Sequence, residues 1–311
     1  MGKTAFLFAG QGAQTVGMGK ELAEKFDVAD KVFDEASNAL GFDVKKLVWE
    51  SDEQELMITE NTQPAIVTMS TAALRIIESK GIKADVVAGL SLGEYTAHIA
   101  SGSLDFAAGV RLVKKRGKYM QEEVPVGKGA MAAILNLSAE DVLACCRAAS
   151  DAGIIEPANF NCPGQIVVAG EVDAVNKCCE IAKEKGAKRA VMLPVSAPFH
   201  CSMMKGAGEK LAKELENVEI GTMNIPVISN VTADYIKSSD DVKPLFIRQV
   251  SSPVLWEKSI DRMIADGVDT FIEIGPGKAL SGFMKKINKD VNIFNVENVA
   301  GLEAVLTHFG A

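Results

Sequence analysis

The chain has 311 residues, 48% of them hydrophobic and 24% charged, enough apolar material for one large core with a smaller unit attached. A net charge of -8 excludes a general nucleic-acid surface and an anionic-membrane surface. The six cysteines, which include the neighbours Cys145-Cys146 and Cys178-Cys179, lack C-x-x-C spacing. They read as small apolar core residues in a reducing cytoplasm, with no metal site expected.

Thr4 to Ala9 reads as a short buried strand, broken by the turn Gly10-Gln11-Gly12-Ala13-Gln14 before helical sequence from Lys20. Its Phe6-Leu7-Phe8 run is too short for a signal-peptide core, and no segment reaches the length of a membrane-spanning helix. Residues 28–49 predict paired helices, and Asn61-Thr62-Gln63-Pro64 is read as the opening of a long helix. The apolar run 84–88 predicts a second strand that ends at Ser91. A further helix is predicted from Asp105, with its cations, Arg111 to Lys118, in the later turns.

From 127 to 196 the pattern becomes β-α-β-β-α-β, the order of a ferredoxin-like unit. The expected fold class is therefore α/β: a parallel-sheet core of the α/β-hydrolase kind, residues 1–126 and 197–311, interrupted by a ferredoxin-like α+β subdomain at 127–196. The returning segment predicts a helix after Cys201, a strand at 225–229, a helix after Pro253, a strand at 270–274, and a last helix and strand beyond Gly275-Pro276-Gly277.

Gly89-Leu90-Ser91-Leu92-Gly93 lies between a predicted strand and a predicted helix, the context of a nucleophile elbow, in which flanking glycines leave room for a sharp turn. Ser91 is thus the candidate for acyl transfer. A serine needs a base, and the chain offers three histidines, His98, His200 and His308. His98, seven residues on in the same helix, is expected to pack; His308 is near the chain end. His200, where the insert hands back to the core, is the favoured base. The backbone N–H of Gln11 is a candidate oxyanion donor. These residues by themselves lead to a serine acyl-transfer or hydrolytic enzyme and no further.

Seven ordered motifs narrow the choice: 8–14 (FAGQGAQ), 62–65 (TQPA), 89–94 (GLSLGE), Arg116-Gly117, 159–165 (NFNCPGQ), 197–200 (APFH) and 275–277 (GPG). Across residues 4 to about 300 the chain resembles the malonyl-CoA:acyl carrier protein transacylases of type II fatty acid synthesis. That resemblance implies Ser91 as nucleophile and His200 as base, with the backbone carbonyl of Gln249 orienting the histidine in place of a carboxylate. It implies an oxyanion hole from the N–H groups of Gln11 and Leu92. It also implies Arg116 as the partner of the malonyl carboxylate, with Gln63, Asn159, Asn161 and Phe199 lining the substrate site. The partners implied are malonyl-CoA and an acyl carrier protein, without a cofactor, the coenzyme A thioester being a substrate. The family commonly has histidine where this chain has Leu90. A free-standing polyketide acyltransferase shares every motif, and a serine hydrolase or thioesterase is the more distant alternative. For an acidic carrier protein, Lys114, Lys115 and Lys118, or Lys278, Lys285 and Lys286, are candidate docking cations.

Overall fold

Alternation along the central strands feeds two cores at once. In β1 (Lys3–Phe8), Ala5 and Leu7 point to one side of the sheet and Phe6 and Phe8 to the other. β2 (Val86–Gly89) divides likewise, with Val86 and Ala88 on the first side and Val87 on the second. A strand that is apolar on both faces requires cover on both faces, and hence the helices flanking a parallel sheet.

The computed structural model describes residues 2–195 and 197–311; Met1 and Ser196, the last residue of the predicted insert, lie outside them. Among the described residues, eight strands form two four-stranded sheets. The first has the order β2-β1-β7-β8, with β7 at Val268–Ile274 and β8 at Asn292–Val296, and every pairing is parallel. The second comprises β3 (Gly129–Leu135), β4 (Ile155–Cys162), β5 (Gln165–Glu171) and β6 (Arg189–Met192), in the antiparallel order β4-β5-β3-β6 of a ferredoxin-like unit. The expected α/β parallel-sheet core and the expected antiparallel α+β unit are both present.

The antiparallel sheet carries its own core. Ala130, Ala132 and Ile134 face the helices Ala139–Ala149 and Val172–Glu184, whose Cys145, Cys146, Cys178 and Cys179 fill the layer as free, buried thiols. The opposite face, with Met131, Ala133 and Val167, turns toward the parallel-sheet unit. Polar links join the units there. β4 exchanges backbone hydrogen bonds with Val254, and the Glu156 carboxylate accepts from the backbone N and the hydroxyl of Ser202 at 2.8 and 2.6 Å.

Several boundaries differ from expectation for identifiable reasons. The long helix begins at Thr59, not Asn61, because the Ile58 carbonyl accepts from Asn61 N and Thr62 N and closes the first turn ahead of Pro64. Residues 225–229 make isolated bridges to Val87 and Tyr235 instead of a strand, since Pro226 has no N–H for a ladder. The helix after Asp105 runs on through Glu122, so the cations expected at its end lie in its middle. The helices Ser239–Val250 and Val299–Phe309 were not anticipated. No helix among the described residues is long and apolar enough to cross a membrane.

Candidate active site

The site begins where β2 runs out. Gly89 has no room for a side chain, because a Cβ there would meet the backbone of Gly93, and one on Gly93 would meet the Phe8 carbonyl of β1. With the turn compressed between two strands, Ser91 adopts φ 52°, a left-handed conformation costly for any residue but glycine. Its hydroxyl stands ahead of the helix Gly93–Ala100. The backbone N–H of Leu92, just before that helix, and of Gln11, past the end of β1, find no acceptor among the described residues.

His200 approaches from the opposite wall, on the turn that follows the antiparallel sheet. It too is left-handed, at φ 63°, and its N–H is anchored on the Val250 carbonyl at 3.2 Å. Its Nε2 lies 2.6 Å from Ser91 Oγ and its Nδ1 lies 2.8 Å from the backbone oxygen of Gln249. A carbonyl only accepts, so the proton sits on Nδ1 and leaves Nε2 to accept from the serine. Gln249 is the penultimate residue of the helix Ser239–Val250. Its carbonyl is one of those left over at a helix C-terminus, where the backbone dipoles concentrate partial negative charge. The carboxylate of a conventional triad is replaced by a helix end. Burial, reinforced by the charge of Arg116, lowers the His200 pKa to about 4, so the imidazole is neutral at physiological pH.

Arg116 is 1% exposed. It reaches the nucleophile because Gly117, beside it, allows its helix to touch the Thr59 carbonyl at the start of the neighbouring helix. Its guanidinium lies over the Tyr95 ring, 5.3 Å from the centroid. Nη2 donates to Ser91 Oγ at 3.1 Å and to Gln249 Oε1 at 3.0 Å, and Nη1 donates to Gln63 Oε1 at 3.0 Å. Gln63 passes the direction on, donating to Gln11 Oε1, whose amide nitrogen donates to the Thr59 hydroxyl. Nε has no partner among the described residues. Burial lowers the Arg116 pKa, against the opposing pull of Tyr95 and Glu94.

Between the two sheets lies a cleft of about 430 Å³. Gln11, Ser91, Arg116 and His200 line it from the parallel-sheet unit, while Asn159 and Asn161 project from β4, and Phe199 and Leu90 add apolar wall. Asn161 is 6% exposed, and its side-chain oxygen has no partner among the described residues. Of the ten residues that the resemblance assigns to the site, eight line this cleft; Leu92 follows Ser91 directly and Gln249 adjoins it through Ser91 and Arg116.

His98 and His308 lie elsewhere. His98 is wholly buried, bonded to the Ser103 hydroxyl at 2.8 Å and edge-on to Phe246; His308 packs against Phe294 and Phe309. Lys114, Lys115 and Lys118 pair with Glu60, Glu214 and Glu122 at the surface. Lys286 sits at the cleft edge, donating to Gln165, while Lys278 pairs with Glu297. Sequence reasoning missed Asn230, whose side chain accepts from Ser91 N at 2.6 Å and donates to the Gly89 carbonyl at 2.7 Å. It also gave no role to Glu94, although its place in the elbow motif was a signal.

The acyl transferase domain family matches residues 5–304. The malonyl CoA-acyl carrier protein transacylase of Bacillus subtilis is 47% identical over 98% of this chain and 97% of its own length. The crystal structure of that transacylase from Clostridium perfringens superposes with a TM-score of 0.96 at 50% identity, covering 99% of this chain and 97% of the other. A malonyl-transacylase solved in complex with its type II PKS acyl-carrier protein gives 0.96 at 41% identity, covering 98% and 99%. The chain therefore belongs to the acyl transferase domain family, among the malonyl CoA-acyl carrier protein transacylases.

Proposed function

We propose that this chain transfers malonyl from malonyl-CoA to the phosphopantetheine thiol of an acyl carrier protein through an ester on Ser91. In the first half-reaction Ser91 Oγ attacks the thioester carbonyl as His200 Nε2 takes its proton. The resulting oxyanion is held by the N–H groups of Gln11 and Leu92, each such donor typically contributing about 3 kcal/mol. The C–S bond then breaks and His200 returns the proton to the coenzyme A sulfur. In the second half-reaction the carrier thiol gives its proton to His200 and attacks the ester, and Ser91 leaves with that proton. Serine itself is the acyl carrier, so the chemistry calls for no metal or redox cofactor.

The observation that carries this reading is the buried cation at the nucleophile. A guanidinium fixed by two amides and lying against Ser91 Oγ suits an acyl group with a free carboxylate, and an acetyl group would leave it uncompensated. Asn159 and Asn161 face the path of the pantetheine arm. The reading treats residues 127–196 as a subdomain closing over that arm, and places the enzyme in the cytoplasm. The similar malonyl-transacylase that serves a type II PKS carrier keeps a polyketide pathway open as the consumer of the product.

Intact-mass measurement after mixing with malonyl-CoA, and separately with acetyl-CoA, tests the proposal. The expected result is one malonyl adduct on the wild-type protein, little acetyl adduct, and neither on Ser91→Ala. Release of free malonate without an adduct would make the enzyme a hydrolase instead.

A further inference from the structure

Glu94 takes no part in the chemistry above, yet its carboxylate is wholly buried behind the nucleophile. One oxygen, Oε2, accepts from Asn230 N at 2.9 Å and from Gln249 Nε2 at 2.8 Å. Both donors belong to residues that hold the site together. Asn230 clamps the elbow through Ser91 N and the Gly89 carbonyl. Gln249 touches more of the site: its backbone oxygen faces His200, its Nε2 donates also to the Ser91 carbonyl at 3.0 Å, and its Oε1 accepts from Arg116.

An amide side chain has two nearly isosteric orientations, distinguished by which neighbours donate and which accept. Around Gln249 the division is clear. The Glu94 oxygen and the Ser91 carbonyl require a donor on one side, and the Arg116 guanidinium requires an acceptor on the other. Were the amide reversed, its NH₂ would meet a cation and its oxygen would meet two acceptors. The Ser91 carbonyl alone offers a single, shared contact; Glu94 provides the second. We infer that Glu94 is a positioning residue: it fixes the orientation of the Gln249 amide, which in turn aims Arg116 at the carboxylate-bearing end of the acyl donor. The inference rests on the malonyl reading of the site and deepens it by naming what sets the selectivity.

Two conservative variants separate reach from ionisation. Burial raises the Glu94 pKa to about 7, against the opposing pull of Asn230, Gln249 and Arg116, so the assays are run at about pH 8.5, where the carboxyl is ionised. Glu94→Gln keeps the length of the side chain and an oxygen able to accept from both donors, but cannot ionise. Glu94→Asp keeps an ionisable carboxyl and withdraws the oxygen by one methylene. Rates of Ser91 loading from malonyl-CoA and acetyl-CoA are measured for each, with kcat and KM separated and thermal midpoints recorded. Loss of a hydrogen bond to a charged group corresponds to about tenfold or more, so Glu94→Asp should lower the malonyl-to-acetyl ratio by roughly that factor, through KM for malonyl-CoA. Glu94→Gln should stay within about threefold of wild type, since the neutral oxygen still accepts. A general loss of packing would slow both donors alike and leave the ratio where it was. An unchanged ratio in Glu94→Asp overturns the inference, as does a ratio lowered equally by both variants. A wild-type protein that loads no malonyl would instead overturn the underlying reading, and this inference with it.

Discussion

The parallel and antiparallel sheets border the same cleft by different means. At the carboxyl ends of β1 and β2 the backbone itself is shaped for the site: a glycine-flanked turn, a serine at positive φ, and N–H groups without acceptors among the described residues, all braced by buried Glu94, Asn230 and Gln249. β4 offers side chains alone, Asn159 and Asn161, from a strand whose pairing with β5 slips between Pro157 and Asn159 and again between Phe160 and Cys162. Left-handed backbone at Ser91 and His200 and buried ionisable groups stand where bonds would be made and broken; the amide side chains of the smaller sheet are left for recognition.

Breaking the first side should cost most. His200→Ala is expected to slow Ser91 malonylation about a thousandfold, measured in single turnover. In the wild type the acid limb of that rate should fall near pH 4, not near the usual 6.5 of histidine. The sign follows from burial and Arg116 both disfavouring the imidazolium, so the neutral base persists as pH drops. An acid limb near 6.5 would mean that His200 is hydrated and unpaired in solution. Arg116→Ala sharpens the same side: malonyl loading should fall about a hundredfold, acetyl loading far less, and the acid limb should move up as the neighbouring charge disappears. Equal losses with both donors would remove Arg116 from carboxylate recognition. The smallest effect belongs to the other sheet. Asn161→Ala should raise KM for malonyl-CoA and for the carrier protein by about threefold with kcat nearly unchanged, as expected of a contact made equally in ground and transition states. A large drop in kcat would erase the distinction between the two walls.

What was legible in the sequence follows the same division. Ser91 could be read because its chemistry is written locally, in glycines that the turn cannot do without. The ferredoxin-like order was readable because strand and helix periodicities alternate cleanly from 129 to 192. The Gln249 carbonyl was reached through family resemblance, since a backbone oxygen leaves no mark on residue type; only the helix end explains it. Glu94 and Asn230 lie 136 positions apart, and a buried pair of that separation has no periodic signature. The strand expected at 225–229 failed because apolar runs are counted by side chain, while a ladder needs the N–H that Pro226 lacks.

The left-handed turn at Ser91 also settles which nucleophiles this scaffold can host. At φ 52° a residue branched at Cβ would crowd its own backbone, so threonine, although it carries the same hydroxyl, is disfavoured by conformation before chemistry is considered. Cysteine, unbranched at that carbon, would fit the same turn and present sulfur in place of oxygen to His200. The choice between an ester-forming and a thioester-forming enzyme on this backbone is therefore a single-residue decision, and the route through threonine carries an added conformational cost of about 1–3 kcal/mol.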